Sequence, residues 1–93
     1  MIQEIRNILK RHHPQAIERK HRDRERAAVL IPLIDDSIVR ILLTERAGNL
    51  ATHGGEVALP GGREDEEDGS ILITALRETE EEIGISPSDV DVI

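Results

Sequence analysis

Three glutamates near the C-terminal end of the chain, Glu78, Glu81 and Glu82, have the spacing of neighbours on a helix. Residues three and four apart share one helix face, so the three carboxylates are predicted to point the same way. Like charges placed there destabilise an isolated helix, and the helix dipole disfavours anions near its C-terminus. A divalent cation would remove that cost, although a solvated glutamate face is the plainer interpretation of the cluster alone.

The residues around this cluster favour a metal or phosphate site. Arg77 precedes Glu81 by four residues and is predicted to hold its carboxylate in a fixed rotamer. Upstream, Gly61 and Gly62 follow a proline, and glycines let backbone carbonyls approach a metal or a phosphate closely. Mg²⁺ and Mn²⁺ prefer oxygen ligands, and carboxylates are the abundant ligands in this chain.

The three carboxylates share a face only if this segment is helical, and a helix is predicted over Ser70 to Ile83. Either Asp68 or Ser70 is available as the N-terminal cap, and Gly84 is expected to end the helix. The glutamate face should point about 135° away from the apolar stripe, at roughly 100° per residue. That stripe, which is expected to be buried, consists of Leu72, Leu76, Thr79 and Ile83.

Other segments are predicted from their apolar patterns and turn residues. A helix over residues 2–12 ends at His13-Pro14. A buried strand, Ala27 to Ile34, is interrupted by Pro32 and pairs with a second strand, Ile38 to Thr44, in a hairpin. The remaining predictions are a turn at Asp35-Asp36-Ser37, a loop over 46–55, an extended piece over 56–59, an acidic loop over 63–69 and a strand over 89–93.

Composition limits the function classes. Of the 93 residues 27 are Ile, Leu or Val, which allows one small domain, while Phe, Tyr, Trp and Cys are absent. The lack of cysteine excludes disulfides and thiolate metal sites and fits a cytoplasmic location. Residues 1–26 carry a net charge of +4 and residues 27–93 one of −11, which argues against nucleic-acid binding. The charged run 18–26 is interpreted as a solvated linker or, alternatively, as a site for substrate phosphate.

The motif from Gly62 to Ile85 resembles the Nudix box, which reads Gly, five residues, Glu, seven residues, then Arg-Glu-apolar-x-Glu-Glu-x-Gly-apolar. Arg77 to Ile85 follow that pattern, except that Thr79 takes a usually aliphatic position. Asp68 stands in place of the first glutamate, and one extra residue separates it from Arg77. Within the superfamily the chain resembles the coenzyme A pyrophosphatases. The resemblance covers Leu42–Arg46, His53, Gly55, Val57, Leu59–Gly62 and the acids Asp65 and Asp68.

The resemblance implies a metal-dependent hydrolase that cleaves coenzyme A to 4'-phosphopantetheine and adenosine 3',5'-bisphosphate, with Mg²⁺ or Mn²⁺ as cofactor. It implies Glu78 and Glu82 as the main metal ligands, with Glu81 and a carbonyl of Gly61 or Gly62 assisting. Arg77 would orient the glutamates, so that the implied catalytic residues are Arg77 and these three glutamates. The resemblance does not assign the general base. The substrate contacts it implies are Arg46, whose guanidinium suits phosphate, His53, Gly61 and Gly62.

The implied fold is an α/β/α sandwich around a mixed sheet, of which 27–93 would be the N-terminal part and 1–26 a separate helical and basic segment. Because the fold normally has strands and a helix after the box, the chain is expected to be a fragment, inactive alone and poorly folded or associated through sheet edges. Two other functions stay open: hydrolysis of ADP-ribose or a dinucleotide, and a non-catalytic Nudix-like binding module. The expected partner is a small nucleotide-like molecule rather than nucleic acid or membrane, and a homodimer is left open.

Overall fold

The computed structural model describes residues 1–12, 25–45 and 54–93 of the chain. The helices in these ranges are α1 (Ile2–Arg11) and α2 (Ile71–Ile83), and a short 3-10 helix covers Pro87–Asp89. The strands are β1 (Ala27–Val29), β2 (Leu33–Asp36), β3 (Ile38–Ile41), β4 (Thr44–Glu45), β5 (Val57–Ala58) and β6 (Gly61–Arg63). The chain is therefore of the α/β class, as predicted. Among the described residues, no helix is long and apolar enough to cross a membrane.

The described strands form three antiparallel pairs, β1 with β6, β2 with β3 and β4 with β5. The first pair places Ala27 opposite Arg63 and Val29 opposite Gly61, and α2 packs against both of its strands. Two strands that are 32 residues or more apart in sequence thereby form the platform of the helix that carries the glutamates.

The predicted hairpin is confirmed by the pairing of β2 with β3, but its bounds differ from those expected. The single strand predicted over Ala27 to Ile34 is wrong, because the chain changes partners at Pro32. Leu30 still donates its backbone N–H to Pro60, on the β6 side, whereas the Pro32 carbonyl accepts from Leu42, on the β3 side. Proline has no N–H to donate, so the strand ladder is interrupted there.

The turn and the second strand of the hairpin are also shorter than predicted. Asp35 and Asp36 continue β2, and Ser37 alone makes the turn with a φ of 51°. The Asp36 carboxylate accepts a hydrogen bond from Arg40 across the hairpin at 2.6 Å, which favours extended geometry at that residue. The strand predicted to reach Thr44 ends at Ile41, and Thr44 begins β4, paired with Ala58.

Helix α2 has the bounds that its capping residues predict. The Ser70 hydroxyl accepts a hydrogen bond from the Ile73 N–H at 3.2 Å, which satisfies one of the free donors of the first turn. Gly84 ends the helix in the left-handed conformation, with a φ of 74°, and its N–H donates to the Glu80 carbonyl. Ser70 rather than Asp68 is therefore the N-terminal cap.

The buried face of α2 agrees with the predicted stripe at Thr79, which is buried, but not at the other three positions. Leu72 is 46% exposed, and Leu76 and Ile83 are half-buried. Close packing on β1 and β6 explains the difference, because these strands present Ala28, Gly61 and Gly62 and allow a close approach only to small side chains. In the described part of the chain the buried residues are Pro60, Asp68, Thr74, Ala75 and Thr79.

The two ends of the chain show one confirmed and one wrong prediction. Helix α1 ends where His12 becomes extended, as expected from the proline that follows two residues later. The strand predicted over 89–93 is absent: Asp89 ends a 3-10 helix that the Ser86 hydroxyl caps, and residues 90–93 pair with no described strand. Arg6 of α1 forms an ion pair with Asp91 at 3.2 Å. The division of the chain at residues 26 and 27 stays a prediction.

Candidate functional site

The Arg77 side chain is the centre of the candidate site. Its Nε and Nη2 atoms donate to the two carboxylate oxygens of Asp68 at 2.9 and 3.1 Å, a bidentate arrangement that fixes the guanidinium plane. Nη1 donates to Glu78 at 3.0 Å and to Glu81 at 3.1 Å. Nη2 also donates to the backbone carbonyl of Arg63 at 3.0 Å. Arg77 thus connects the acidic loop, strand β6 and two of the three predicted ligands.

Asp68 is the buried anchor of this arrangement, with 6% of its surface exposed. Besides the two bonds from Arg77, it accepts hydrogen bonds from the Asp65 backbone N–H at 2.9 Å and from the Thr74 hydroxyl at 2.8 Å. The bonds from Arg77, followed by the one from the Asp65 backbone, lower the pKa of Asp68 to about 2. The bond to Asp68 in turn raises the pKa of Arg77 above its usual range, so the guanidinium stays charged.

Two departures from the Nudix box concern Asp68, and they compensate each other. An aspartate replaces the usual glutamate, and one extra residue separates it from Arg77. The position separated from Arg77 by the usual seven residues is Gly69, which has no side chain to make the contact. Gly69 instead adopts a left-handed conformation, with a φ of 78°, and the Asp68 N–H donates to the Asp65 carbonyl at 3.0 Å in a turn. The extra residue, Gly69, follows that turn directly, and the shorter aspartate reaches Arg77 from one position earlier.

The Glu78 carboxylate occupies the space that a side chain at position 62 would fill, and Gly62 leaves that space free. A Cβ atom added to Gly62 would lie 2.5 Å from the Glu78 Cδ and 2.8 Å from each of its carboxylate oxygens. The glutamate therefore lies directly against the backbone of β6. Gly61 is equally constrained, since its Cβ would overlap the Ala28 carbonyl on the neighbouring strand. The two glycines are thus required by close approach to Glu78 and to β1, while the predicted approach of their carbonyls to a metal or phosphate stays a prediction.

The predicted metal ligands share a helix but are not assembled into one cluster. Glu78 and Glu81 meet at Arg77, as the four-residue spacing of Arg77 and Glu81 predicts, whereas Glu82 is exposed and does not contact Arg77. Within residues 1–12, 25–45 and 54–93, no three acidic or histidine side chains stand close enough to hold a metal ion. The donor chemistry nevertheless fits a hard divalent cation, because it consists of carboxylates beside a glycine backbone.

Thr79, the third departure from the motif, is accommodated without an unpaired polar group. It is 1% exposed and its hydroxyl donates to the Ala75 carbonyl one turn earlier at 2.6 Å. A hydroxyl satisfied by its own helix can occupy a buried position where an aliphatic side chain is usual. Thr79 is thus a core residue of the helix, apart from the carboxylate face.

Reasoning from the sequence missed Thr74 and the backbone contributions of Asp65 and Arg63. One signal existed for Thr74, since residues three apart on a helix face the same side and Thr74 precedes Arg77 by three. The backbone contacts depend on the path of the acidic loop and have no residue-type signal. The predicted substrate contacts Arg46 and His53 lie outside the described residues.

The described end of the basic segment takes part in strand pairing. Arg26 forms two hydrogen bonds with the Glu64 carboxylate, at 3.0 and 2.5 Å, and its carbonyl accepts from the Glu64 N–H. Glu25 pairs with Arg63 at 3.1 Å. These contacts extend the β1 and β6 pair, so the last two residues of the segment have a structural role. The rest of the run, residues 18–24, lies outside the described residues.

Comparison with known proteins agrees with this geometry. The family model of the NUDIX domain matches residues 24–93. The chain is 55% identical over 71 residues to Nudix hydrolase 15, mitochondrial, of Arabidopsis thaliana, an alignment that covers 74% of this chain and 25% of that protein. It is 47% identical over 77 residues to Nudix hydrolase NudL of Escherichia coli (strain SMS-3-5 / SECEC), covering 83% of this chain and 40% of that protein.

The chain therefore spans between a quarter and two fifths of the length of these relatives. Both relatives are named as hydrolases, which confirms the predicted enzyme class at the level of the family. Because the matching model covers most of the chain and includes Gly62, Asp68, Arg77 and the glutamates, the chain belongs to the NUDIX domain family.

Proposed function

We propose that this chain carries the Nudix part of a metal-dependent enzyme that hydrolyses the diphosphate bond of coenzyme A or its derivatives. The observation that supports this most directly is the position of Glu78. Its carboxylate lies against the backbone of Gly62 and accepts a hydrogen bond from Arg77. A carboxylate kept beside a strand backbone, at the edge of further acidic side chains, is suited to bind a divalent cation together with a backbone carbonyl.

Glu78 and Glu82 are the proposed main ligands, with Glu81 and a carbonyl of Gly61 or Gly62 assisting. When bound, Mg²⁺ or Mn²⁺ would neutralise the diphosphate and acidify the attacking water. The donor set favours such hard ions, because it contains only oxygen atoms.

The role proposed for Arg77 is to orient the glutamates. Its guanidinium is fixed on one side by Asp68 and donates on the other to Glu78 and Glu81. A cation bound by these carboxylates would therefore have two of its ligands oriented before it arrives. The general base stays unassigned.

The substrate rests on the resemblance to coenzyme A pyrophosphatases, which covers the segment Leu59–Gly62 and the acids Asp65 and Asp68. The expected products are 4'-phosphopantetheine and adenosine 3',5'-bisphosphate. Arg46 and His53 are proposed as further substrate contacts, with Arg46 on a phosphate. A cytoplasmic location is likewise a proposal, and two of the relatives are named mitochondrial and chloroplastic proteins.

Product analysis tests the proposal. The whole enzyme that carries this chain is purified and incubated with Mg²⁺ or Mn²⁺ and, in parallel, with coenzyme A, ADP-ribose and a dinucleotide, and the products are separated by chromatography. Glu82→Gln should lower turnover by several orders of magnitude. Glu80→Gln, an exposed glutamate of the same helix outside the proposed ligand set, is the matched control and should retain activity.

Each outcome assigns a function. Release of adenosine 3',5'-bisphosphate supports the coenzyme A assignment, whereas cleavage of ADP-ribose or the dinucleotide alone redirects the assignment to those substrates. Metal binding without hydrolysis of any of the three would support a non-catalytic binding module. Full activity of Glu82→Gln would remove Glu82 from the ligand set.

A further inference from the structure

Thr74 makes a contact that the helix alone does not require. It lies in the first turns of α2 with 0% of its surface exposed, and its hydroxyl has a single proton to donate. Two acceptors lie within reach, the Asp68 carboxylate at 2.8 Å and the Ser70 carbonyl at 3.1 Å. A helical threonine commonly donates to the carbonyl one turn earlier, but here the shorter contact is to the carboxylate.

That contact belongs to a continuous series of hydrogen bonds. Thr74 donates to Oδ2 of Asp68, and Arg77 donates to both oxygens of the same carboxylate. The remaining terminal nitrogen of Arg77 donates to Glu78 and Glu81. The hydroxyl of Thr74 is thus joined to two proposed metal ligands through one buried carboxylate and one guanidinium.

Without the hydroxyl, one donor to a buried carboxylate would be lost. Asp68 would retain the bonds from Asp65 and Arg77, which are three of its four, so the loop should stay folded. The carboxylate would lose one of the two α2 side chains that donate to it, and its orientation would then depend on the loop and on Arg77 itself. Buried polar groups that lose a partner shift or loosen, and the groups bonded to them follow.

We propose that Thr74 is a positioning residue of the site: its hydroxyl fixes the Asp68 carboxylate, which fixes Arg77 and through it the Glu78 and Glu81 carboxylates for metal binding. The inference rests on the proposed function, because Glu78 and Glu81 are ligands only in that proposal. It extends the site to a residue that touches neither metal nor substrate.

The chain contains a matched control in Thr79. Both threonines are buried on α2, but the Thr79 hydroxyl donates to the Ala75 carbonyl and takes no part in the series. Valine has nearly the shape of threonine without the hydroxyl, so Thr74→Val and Thr79→Val remove the same group from two equally buried places. Thr74→Ser keeps the hydroxyl and removes only the methyl group.

The experiment measures Mn²⁺ affinity by calorimetric titration, and turnover and KM with coenzyme A. Thr74→Val is expected to weaken Mn²⁺ binding and to lower turnover by about tenfold each, the lower end of the effect of removing residues that orient metal ligands. KM should change by less than about threefold, because substrate contacts are untouched. Thr74→Ser and Thr79→Val should stay within about threefold of the wild type in all three quantities.

A spectroscopic measurement tests the same series without metal. The Arg77 Nε–H signal in a nitrogen-15 spectrum should exchange slowly with water in the wild type and in Thr79→Val, and faster in Thr74→Val. All variants are first compared with the wild type by circular dichroism. If Thr74→Val does not fold, Thr74→Cys replaces it, since its thiol is a weak donor of similar size.

Two results would overturn the inference while leaving the proposed function intact: equal Mn²⁺ affinity and Arg77 exchange in Thr74→Val and Thr79→Val, or a Thr74→Ser variant as impaired as Thr74→Val. A wild-type protein that neither binds Mn²⁺ nor cleaves a diphosphate would overturn both.

Discussion

Asp68 and Arg77 face each other through two parallel hydrogen bonds of 2.9 and 3.1 Å, although nine residues separate them and only Arg77 belongs to a helix. The pair connects the acidic loop to α2, and the far side of the same guanidinium contacts Glu78 and Glu81. Stability of the loop and orientation of the glutamates therefore depend on one ion pair, which makes its variants informative.

Asp68→Asn should lower both stability and activity. The amide keeps the shape of the carboxylate but is neutral, and its NH₂ group cannot accept from Arg77. We expect at least a tenfold loss of turnover, in line with the loss of groups that orient metal ligands. Asp65→Asn is the control, because that side chain is exposed and lies 3.6 Å from Arg77. Equal activity of the two variants in steady-state assays would contradict the anchoring role of Asp68.

The lowered pKa of Asp68 predicts a specific acid sensitivity. In the unfolded chain this carboxyl has its ordinary value near 3.8, whereas in the folded chain its pKa is about 2. The contribution to stability is therefore complete above pH 3.8 and is lost as the pH falls towards 2, since the unfolded state takes up the proton first. Urea unfolding midpoints between pH 2 and pH 6 should decrease less steeply in Asp68→Asn than in the wild type. Parallel curves would contradict this assignment.

Gly62→Ala should impair the site more than the fold. The new methyl group would lie 2.5 Å from the Glu78 Cδ, so the carboxylate must move away from β6. Turnover should decrease at least tenfold at a temperature where the variant is folded. Gly84→Ala is the matched control. Alanine in this left-handed conformation should cost about 1 kcal/mol of stability, but the position has open space around it, so no proposed ligand has to move. Gly84→Ala with the same turnover loss would show that general destabilisation explains both.

Divalent metal should stabilise the folded chain through the glutamate face. A ligand that binds only the native state adds about 2.7 kcal/mol at a hundred times its Kd. Millimolar Mg²⁺ or Mn²⁺ should therefore raise the melting temperature of the wild type and of Glu80→Gln, but not that of Glu82→Gln. Thermal melts of the wild type that are insensitive to both ions would contradict the proposed metal site.

Some of this structure follows from local signals in the sequence, and some does not. The bounds of α2 are predictable because Ser70 and Gly84 act on their own helix turns, and the contact of Arg77 with Glu81 follows from helical spacing alone. The predicted burial of Thr79 is confirmed, whereas that of Leu72 was wrong, because the buried face depends on what the helix packs against. Helix α2 packs on β1 and β6, which come from distant parts of the chain, and it buries Ala75 and Thr79 while Leu72 stays exposed.

The Asp68 contact was not predictable from helix periodicity, since Asp68 lies outside the helix and reaches Arg77 through a turn. The motif resemblance indicated an acid near this position. The structure adds that Asp68, although shorter than glutamate and one residue further from Arg77, makes the contact, and that the left-handed Gly69 follows it. The strand predicted at the C-terminal end was wrong because strand formation needs a partner: Asp89 belongs to a 3-10 helix, and residues 90–93 pair with no described strand.

The compensation between Asp68 and Gly69 leads to a last prediction. Asp68→Glu lengthens a buried side chain whose carboxylate already accepts four hydrogen bonds. Deletion of Gly69 removes the left-handed residue that follows the turn. Each change alone should displace the carboxylate from Arg77 and lower turnover at least tenfold. Together they recreate the usual spacing of the Nudix box, with a glutamate followed by seven residues and then arginine.

The double variant should therefore be more active and more stable than either single variant. This non-additivity is the expected behaviour of two changes that act on one contact. The measurements are turnover with coenzyme A and the melting temperature of all four proteins. Ser86→Ala, which removes the cap of the 3-10 helix beyond the other end of α2, is the control in combination with each change and should give additive effects. A double variant that is worse than both single variants would show that Gly69 has a role beyond the spacing of Asp68 and Arg77.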